Sequence, residues 1–491
     1  MKRLFAVLVL VAVSVSLFAG GSGGKAPAQT GPDSAFFSRP VTGEITVTAY
    51  DSMFYRNYLE EAAKAFEAKY PGTRINIETF SAMPEVRTMD QGNMRASAVQ
   101  AQDDSQGRAD YLSRVNTNIM SGRGADIYAM DIIPLYKFVE SGTLENLNNY
   151  MAGDPGFNKA DYRQNILEAL QYRNGTWFLP MDYMFNYFSY DSTLVPAQIA
   201  AGFGPDKVWK SDDLFKIGIP LYNGNYKLFN ALDYIRGPGG MFSQLLGENI
   251  GSFVNLETRK PNFLDGKFSG LLASVSDYSR QGYIPQGISG QSNANQMMQR
   301  TMQAPTDRFY FKHSGNVGLI GQYTRNTGMM LRMMMSGSSP GIEDDDEIAG
   351  IQANADGSVP FRFNQGFGIN SQSKNKETAW AFLKFLLGKE MQLSTNIMNF
   401  GLPLHNEARA EKAERTLFSF TPVLNEQQYQ ALDNYRAVVE KLSDSINSYM
   451  IQDTSLNDMI ASEVMYFFNG SRSADEVARV LQNKADLYLS E

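Results

Sequence analysis

The sequence predicts an α/β protein made of two domains. Three segments, residues 44–80, 110–130 and 361–403, each combine a strand-like stretch with an apolar pattern of helical period. The chain has 491 residues, which is more than one hydrophobic core usually holds. Together, the alternation of strands and helices and the length indicate an α/β architecture in two domains.

The first segment predicts a βαβ unit. Glu44–Tyr50 alternates apolar and polar side chains, as a half-buried strand does, and Arg74–Phe80 alternates again. Between them, Leu59 and Phe66 belong to one apolar helical face, which Pro71-Gly72 brings to an end. The connection has the length of a right-handed crossover between parallel strands.

Polar side chains follow the first predicted strand. Ligands of open α/β sheets bind beyond the carboxyl ends of the strands. Asp51, Ser52 and Tyr55 are therefore candidate ligand contacts. A role for Asp51 or Ser52 as a helix cap only is an open alternative.

The second and third segments repeat the combination of helix and strand. Asp110–Gly122 predicts a helix and Ala125–Met130 a strand, after which Asp131 opens a turn. Gly366–Asn370 predicts a short strand. The helix that follows, with Phe382 and Leu386 on its buried face, is expected to end near Gly388.

The N-terminus predicts export. Lys2 and Arg3 precede the apolar run Leu4–Phe18, so residues 1–19 have the organisation of a signal peptide. Residues 20–43 are rich in Gly, Ser, Pro and Ala, and we expect them to form a flexible leader. The chain contains no Cys, which leaves no acceptor for a lipid anchor and no disulfide. A soluble periplasmic protein is expected.

Composition and motifs limit the other functional classes. Loss of Lys2 and Arg3 takes the formal charge from −8 to about −10, which argues against nucleic-acid binding. Only two His are present, and no P-loop, nucleophile elbow or dinucleotide fingerprint occurs. The acidic run Glu343–Glu347 lacks the spacing of a calcium loop. The prediction is therefore a protein that is not an enzyme and holds no cofactor and no metal.

Several phrases resemble the carbohydrate-binding branch of the extracellular solute-binding proteins of ABC importers. The resemblance covers the signal peptide, the βαβ unit and four motifs, in the order of the family. The matching motifs are Ser121–Ile127, Phe185–Tyr190, Ser373–Leu386 and Gly401–Pro403. A looser match, Phe311–Tyr323, has Asn316 where the family usually has Lys.

This resemblance implies a type II periplasmic-binding-protein fold, like that of maltose-binding protein, with two α/β lobes joined by a hinge. The N-terminal lobe would comprise residues 44–131 and 361–400. The C-terminal lobe would comprise residues 132–360 and 401–491. Residues 89–107 and 192–310 carry no legible motif.

The resemblance also places ligand contacts at the interlobe cleft. Asp131 would lie at its lip, and aromatic rings would cover the apolar faces of a sugar while amides and carboxylates bind its hydroxyls. Phe185 and Phe188 are expected in the core, which is the alternative for the other aromatic side chains of this stretch. The remaining candidates implied by the resemblance are Tyr183, Asn186, Tyr187, Gln322, Tyr323 and Asn364.

The implied function is capture of a sugar or oligosaccharide in the periplasm and its delivery to the ABC permease. The protein would act as a monomer. Two alternatives stay open: a secreted glycoside hydrolase that uses a carboxylate pair, because the chain has 52 acidic residues, and a surface adhesin or antigen. The sequence leaves the identity of the ligand undetermined.

Overall fold

The structure is a computed structural model that describes most of the chain. The described residues are 31–50, 55–80, 105–230, 237–286, 308–314, 346–394, 401–412, 426–450 and 453–490. The predicted signal peptide lies outside them.

The strands are numbered in chain order. They are β1 (Gly43–Tyr50), β2 (Thr73–Phe80), β3 (Ile127–Ala129), β4 (Leu179–Pro180), β5 (Asp182–Tyr183), β6 (Tyr187–Asp191), β7 (Val208–Trp209), β8 (Lys227–Asn230), β9 (Val254–Asn255), β10 (Lys260–Pro261), β11 (Phe309–Ser314), β12 (Asp346–Gln352), β13 (Pro360–Phe361), β14 (Gly366–Ile369), β15 (Leu402–Pro403) and β16 (Ser448–Tyr449).

The α-helices are numbered in the same way. They are α1 (Tyr55–Lys69), α2 (Ser105–Met120), α3 (Leu135–Glu140), α4 (Asn148–Gly153), α5 (Gln164–Ala169), α6 (Ala197–Ala200), α7 (Ser211–Gly218), α8 (Pro238–Phe253), α9 (Lys267–Arg280), α10 (Lys376–Leu387), α11 (Lys389–Gln392), α12 (Glu426–Asp444), α13 (Thr454–Phe468) and α14 (Ala474–Ser490).

The first lobe is built on a five-stranded sheet of order β2-β1-β3-β14-β4. Strands β2, β1 and β3 are parallel, and β14 runs antiparallel to β3. The predicted βαβ unit is confirmed, and Ile45, Val47 and Ala49 on one face of β1 are fully buried. Helix α10 lies against this lobe, with the Phe382 ring 5.2 Å from Phe66 of α1.

The second lobe is built on another five-stranded sheet, of order β7-β12-β6-β11-β8. Strand β6 is antiparallel to both β11 and β12. Helix α7 contacts β8 and β11 of this sheet, and the long helices α8 and α9 pack against each other. The α/β class predicted from the sequence is confirmed, with two lobes.

The predicted boundary after residue 131 does not follow the two sheets. Strand β4, at residues 179–180, pairs with β14 and so completes the first sheet. The Glu145 N–H donates to the carbonyl of Ile369 at 2.9 Å, and the Tyr150 ring lies 5.4 Å from Trp380. Residues 132–180 therefore pack on the first lobe, because the return strand β14 needs them as neighbours.

The predicted flexible leader is also corrected where the structure describes it. Residues 36–38 form a turn of 3₁₀ helix, and the buried Phe36 ring meets Tyr150 edge-on at 5.4 Å. Arg39 forms an ion pair with Glu377 at 2.6 Å. These contacts fix the end of the leader on the first lobe.

In the part of the chain that the structure describes, three segments pass between the lobes. Residues 181–186 lead from β4 to β6, and residues 353–365 lead from β12 to β14. The third segment is β16, which pairs with β13. We call these three segments the crossover.

The C-terminal helices lie against the second lobe. Helices α13 and α14 pack on each other, on α8 and on α9. Helix α14 begins with a capping box, in which the N–H of Ser473 donates to Glu476 at 2.8 Å and the N–H of Glu476 donates to Ser473 Oγ at 3.3 Å. Among the described residues, no helix combines the length and the apolar character needed to cross a membrane.

Candidate ligand-binding site

Half of the predicted ligand contacts can be located with their side chains. Asp51, Ser52, Gln322 and Tyr323 lie outside the described residues. Tyr55 begins α1, but its side chain also lies outside the described part. The candidates that can be placed are Asp131, Tyr183, Asn186, Tyr187 and Asn364.

Asp131 lies at the carboxyl end of β3 and is partly buried. The preceding residue, Met130, donates its N–H to the carbonyl of Gly366 at 2.8 Å, which fixes the chain at this edge of the sheet. Asp131 is also one of the charges that raise the pKa of Tyr111, after the larger effect of burial. The carboxylate therefore lies at the edge where open α/β sheets bind ligands.

Tyr183 is a core residue, and its prediction as a cleft residue is wrong for this structure. The side chain has no exposed surface, and its ring is stacked on Phe185 with centroids 6.5 Å apart. The guanidinium of Arg409 lies 6.0 Å from the ring centroid on another side. Strand β5 pairs with β15, so neighbouring strands and α12 cover the ring that we expected to face a ligand.

Asn186 and Tyr187 lie where the chain enters the second lobe, and both are partly exposed. The side-chain oxygen of Asn186 accepts a hydrogen bond from Arg362 at 3.1 Å. Its carbonyl accepts the N–H of Gln352 at 3.0 Å. These two positions remain candidates, while Phe185 and Phe188 are confirmed as core residues.

Asn364 holds a buried carboxylate at the crossover. Its N–H and its side-chain amide donate to the two oxygens of Asp182 at 2.9 and 3.0 Å, and the N–H of Gln365 donates at 3.1 Å. Burial raises the pKa of Asp182, although these donors act in the opposite direction. Asn364 therefore joins two of the three crossover segments, and its free capacity for a ligand is limited.

Arg362 is a crossover residue that our sequence analysis missed. Its backbone exchanges two hydrogen bonds of 2.8 Å with Met184, and its guanidinium donates to Asn186. Burial lowers the pKa of Arg362, yet a guanidinium remains charged at any physiological pH. The signal was available in the sequence, because Arg362 stands between the buried Phe361 and Phe363 and must face the other side.

A chain of buried polar side chains runs through the second lobe. His313 Nε2 lies 2.8 Å from Gln352 Oε1, and Gln352 Nε2 donates to Glu248 at 2.6 Å. Ser211 donates to Glu248 through its hydroxyl at 2.5 Å and through its N–H at 3.2 Å. Burial raises the pKa of Glu248 to about 7 and lowers the pKa of His313 to about 4. This chain adjoins the crossover, because the backbone carbonyl of Glu248 accepts the N–H of Ala355 at 2.8 Å.

Two other features contribute less to the site. Trp209 donates its indole N–H to the carbonyl of Ala349 at 2.9 Å and packs edge-on against Phe203, so it is held within the second lobe.

A polar cavity of about 90 Å³ lies beneath α2, bordered by Thr48, Tyr111 and Arg114. None of the five predicted ligand contacts that can be placed borders this cavity.

Two α/β lobes, joined by three crossover segments with polar side chains between them, define a periplasmic-binding-type protein. The chain belongs to the bacterial extracellular solute-binding protein family, which it matches over residues 55–393. A comparison with curated proteins finds no match.

Solved structures agree with this assignment of the fold. The chain is similar to an ABC substrate-binding protein from Listeria monocytogenes in complex with cycloalternan (TM-score 0.52, 17% identity, covering 91% of this chain and 99% of that one). It is also similar to an extracellular solute-binding protein family 1 member from Alicyclobacillus acidocaldarius (TM-score 0.53, 15% identity, covering 92% of this chain and 99% of that one). A third similar structure is the GacH receptor of Streptomyces glaucescens, solved without ligand and with acarbose. Its TM-score is 0.51 and its identity 14%, and the match covers 92% of this chain and 99% of that one. The type II periplasmic-binding-protein fold is thereby established.

Proposed function

We propose that this protein captures a sugar or oligosaccharide between its lobes and delivers it to the permease of an ABC importer. The observation that carries the proposal is the crossover, where the polar side chains of Asn186 and Arg362 lie between two sheets. Asp131 is placed at the neighbouring edge of the first sheet. Amides, carboxylates and guanidinium groups are the partners that sugar hydroxyls need in a largely enclosed site.

The family and the fold support this proposal. Two of the solved structures with this fold are described with carbohydrates, cycloalternan and acarbose. Capture would follow hinge closure, because a ligand bound to one lobe adds contacts when the other lobe approaches. In the proposal the protein works in the periplasm as a monomer, without cofactor or catalytic role.

The first experiment is a thermal-shift screen of the chain without residues 1–19 against mono- and oligosaccharides. We expect at least one sugar to raise the melting temperature, because a ligand that binds only the folded state stabilises it. Calorimetric titration then gives the Kd of that sugar. If no sugar raises the melting temperature, the proposed ligand class is wrong.

The same preparation tests the alternatives. Hydrolysis of a chromogenic glycoside would support a glycoside hydrolase instead. Adhesion to matrix material, without stabilisation by any small solute, would support an adhesin.

Asp131→Ala tests the place of the cleft. We expect the Kd of the sugar found in the screen to rise more than tenfold, because the variant removes a carboxylate acceptor at the ligand edge of β3. The melting temperature without sugar should change little, since Asp131 is only partly buried. The exposed Asp212→Ala is the matched control and should leave the Kd unchanged. An unaltered Kd in Asp131→Ala would move the site elsewhere.

A further inference from the structure

The two lobes also meet outside the crossover, along helix α3. This helix begins four residues after Asp131, so it starts at the edge of the first sheet where the candidate site lies. Opposite it stands the first turn of α13, which packs with α8 and α14 of the second lobe. Contacts between α3 and this turn therefore join the lobes on the side of the candidate site.

Asp453 is the centre of this contact. It caps the N-terminus of α13 by accepting the N–H of Leu456 at 3.0 Å, and only 3% of its surface is exposed. Tyr136 of α3 donates its hydroxyl to Asp453 at 2.9 Å, and Tyr488 of α14 donates to both carboxylate oxygens at 2.9 and 3.0 Å. One buried carboxylate thus accepts hydrogen bonds from both lobes.

The two phenols are suited to this role at physiological pH. Burial, followed by the charge of Asp453, raises the pKa of Tyr136 and of Tyr488 above the ordinary tyrosine value. Both hydroxyls therefore stay protonated and donate. Hydrogen bonds to an ionised acceptor are stronger than those between neutral groups, and they strengthen further where water is excluded.

Further contacts extend the junction on both sides. Lys137, the next residue of α3, lies 3.9 Å from the centroid of the Tyr488 ring and donates to the carbonyl of Tyr488 at 3.1 Å. Toward the N-terminal end of α2, Arg108 forms an ion pair of 2.7 Å with Asp458 of α13. The junction therefore extends from α3 to the N-terminal part of α2.

The far end of α3 is held by two arginines from opposite lobes. Glu140 forms ion pairs with Arg173, at 2.7 Å, and with Arg259 of the turn between β9 and β10. Both arginines have positive φ angles, of 48° and 53°, which non-glycine residues adopt only where their surroundings fix them. In both turns, a left-handed backbone conformation accompanies an ion pair of the arginine with Glu140.

We propose that this junction, centred on Asp453 with Tyr136 and Tyr488, is a clasp that favours the closed arrangement of the lobes before any ligand binds. The proposal rests on the function given above, because closure matters only for a protein that captures a ligand between its lobes. The clasp sets the fraction of free protein that is closed. Apparent ligand affinity follows that fraction, although no clasp residue is among the candidate ligand contacts.

The test measures the distance between the lobes in the absence of ligand. The chain has no Cys, so Lys64→Cys on α1 and Lys216→Cys on α7, both exposed, accept spin labels selectively. Pulsed electron resonance then gives the distribution of label distances. In the parent protein we expect a population at the distance of this structure.

Tyr136→Phe, alone and combined with Tyr488→Phe, removes hydroxyls and keeps both rings. We expect the ratio of closed to open molecules to fall about tenfold in the double variant, the change that about 1.4 kcal/mol produces. The matched control is Tyr190→Phe, which removes a 2.6 Å hydrogen bond to Glu347 within the second lobe and should leave the distances unchanged. Arg108→Gln, at the edge of the junction, tests the clasp at a side chain that is only partly buried and should shift the distances in the same direction.

Identical distance distributions in the parent, the double variant and Arg108→Gln would overturn the clasp, as would an equal shift in Tyr190→Phe. Because no ligand is present, this result is independent of the sugar screen. A shift in the distances with no response to any sugar would retain the clasp and refute only the proposed ligand class. A response to sugar with unchanged distances would retain the proposed ligand class and refute the clasp.

Discussion

Asp154 in the first lobe and Glu248 in the second are both almost inaccessible, with 7% and 5% of their surfaces exposed. Their partners differ. Asp154 accepts hydrogen bonds of 2.7 Å from the indole of Trp380, the ammonium of Lys384 and the N–H of Gly156. The hydrogen bonds to Glu248 come from Ser211 and Gln352, which are neutral.

The two environments shift the pKa values in opposite directions. Burial acts to raise the pKa of both carboxyl groups. At Asp154 the donors outweigh burial and hold the pKa below its ordinary value, whereas at Glu248 burial dominates and the pKa reaches about 7. With a cationic partner the buried carboxyl group is thus stabilised as an ion, whereas the neutral donors at Glu248 lower its pKa too little to offset burial.

The consequence is that the lobes respond differently to pH. A carboxyl group with a depressed pKa contributes stability above its unfolded-state pKa, and this is lost as the pH falls through the folded-state pKa. A raised pKa has the opposite effect, so the contribution of Glu248 is complete below about pH 4.5 and is lost as the pH rises through about 7. Acid should therefore weaken the first lobe, and neutral to alkaline pH the second.

The largest expected change in the free energy of unfolding comes from Asp154→Ala. The variant leaves the buried indole N–H of Trp380 without its acceptor and Lys384 without its partner, which should cost about 2 to 4 kcal/mol at pH 7. Urea unfolding followed by fluorescence measures the loss. The exposed Asp161→Ala in the same lobe is the control and should change stability little. Equal stability of the two variants would show that Asp154 does not hold this part of the first lobe.

Glu248→Gln should raise the free energy of unfolding at pH 8, whereas Asp154→Ala lowers it. A neutral amide keeps an oxygen that accepts from Ser211 Oγ and Gln352, although the Ser211 N–H loses its acceptor. Because the amide cannot ionise, the variant should be more stable than the parent at pH 8 by about 2 kcal/mol. At pH 4.5 the two proteins should differ little. Calorimetric melting at both pH values measures the difference. A variant that is less stable at pH 8 would mean that Glu248 is charged in the fold and the comparison fails.

The first lobe could be predicted from the sequence because its units are local. The strands and helix of residues 44–80 adjoin one another in the chain, and both periodicities are visible there. The second sheet joins β6, β11 and β12 with strands as short as Val208–Trp209. Three of its four strand pairs join residues more than a hundred positions apart. A two-residue strand leaves no periodic pattern, and pairing over such separations is set by the tertiary structure. The lobe boundary was misplaced for the same reason, because β4 joins the first sheet only through β14.

Asp131 lies at the carboxyl end of β3 and Asn186 at the entry to the second lobe, and contact of either residue with a ligand stays a prediction. Tyr183 was assigned to the cleft together with the aromatic stretch that follows it, as if one strand alternation ran through both. The chain crosses between lobes at Met184–Asn186, so β5 and β6 belong to different sheets and the alternation does not continue. Tyr183 was misassigned for that reason. Arg362 was not predicted, although a charged residue between two buried phenylalanines of an extended segment must face the opposite side.

Lys384→Met sharpens the comparison by changing only the cationic partner of Asp154. The methionine retains much of the apolar stem, while Trp380 and Gly156 still donate, so the loss at pH 7 should be roughly 1 kcal/mol. The pKa of Asp154 rises in the variant, and acid unfolding of the first lobe should therefore begin at a higher pH than in the parent. Hydrogen exchange of β14 at decreasing pH measures this onset. Lys389→Met, which changes a 40% exposed side chain of α11, is the control, and an equal shift there would assign the effect to general charge rather than to Asp154.

The smallest expected effect tests whether surface charge explains the pH response of the second lobe. Lys216 on α7 forms an ion pair of 2.6 Å with Asp212, and both side chains are largely in solvent, where such pairs contribute little. Lys216→Ala should therefore leave the melting temperature nearly unchanged and should retain the decline in stability between pH 4.5 and pH 8. Calorimetric melting of Lys216→Ala, Glu248→Gln and the parent protein at both pH values measures the difference. If Lys216→Ala removed the decline, the pH response would belong to the exposed charges of α7, and the buried Glu248 would lose its role in it.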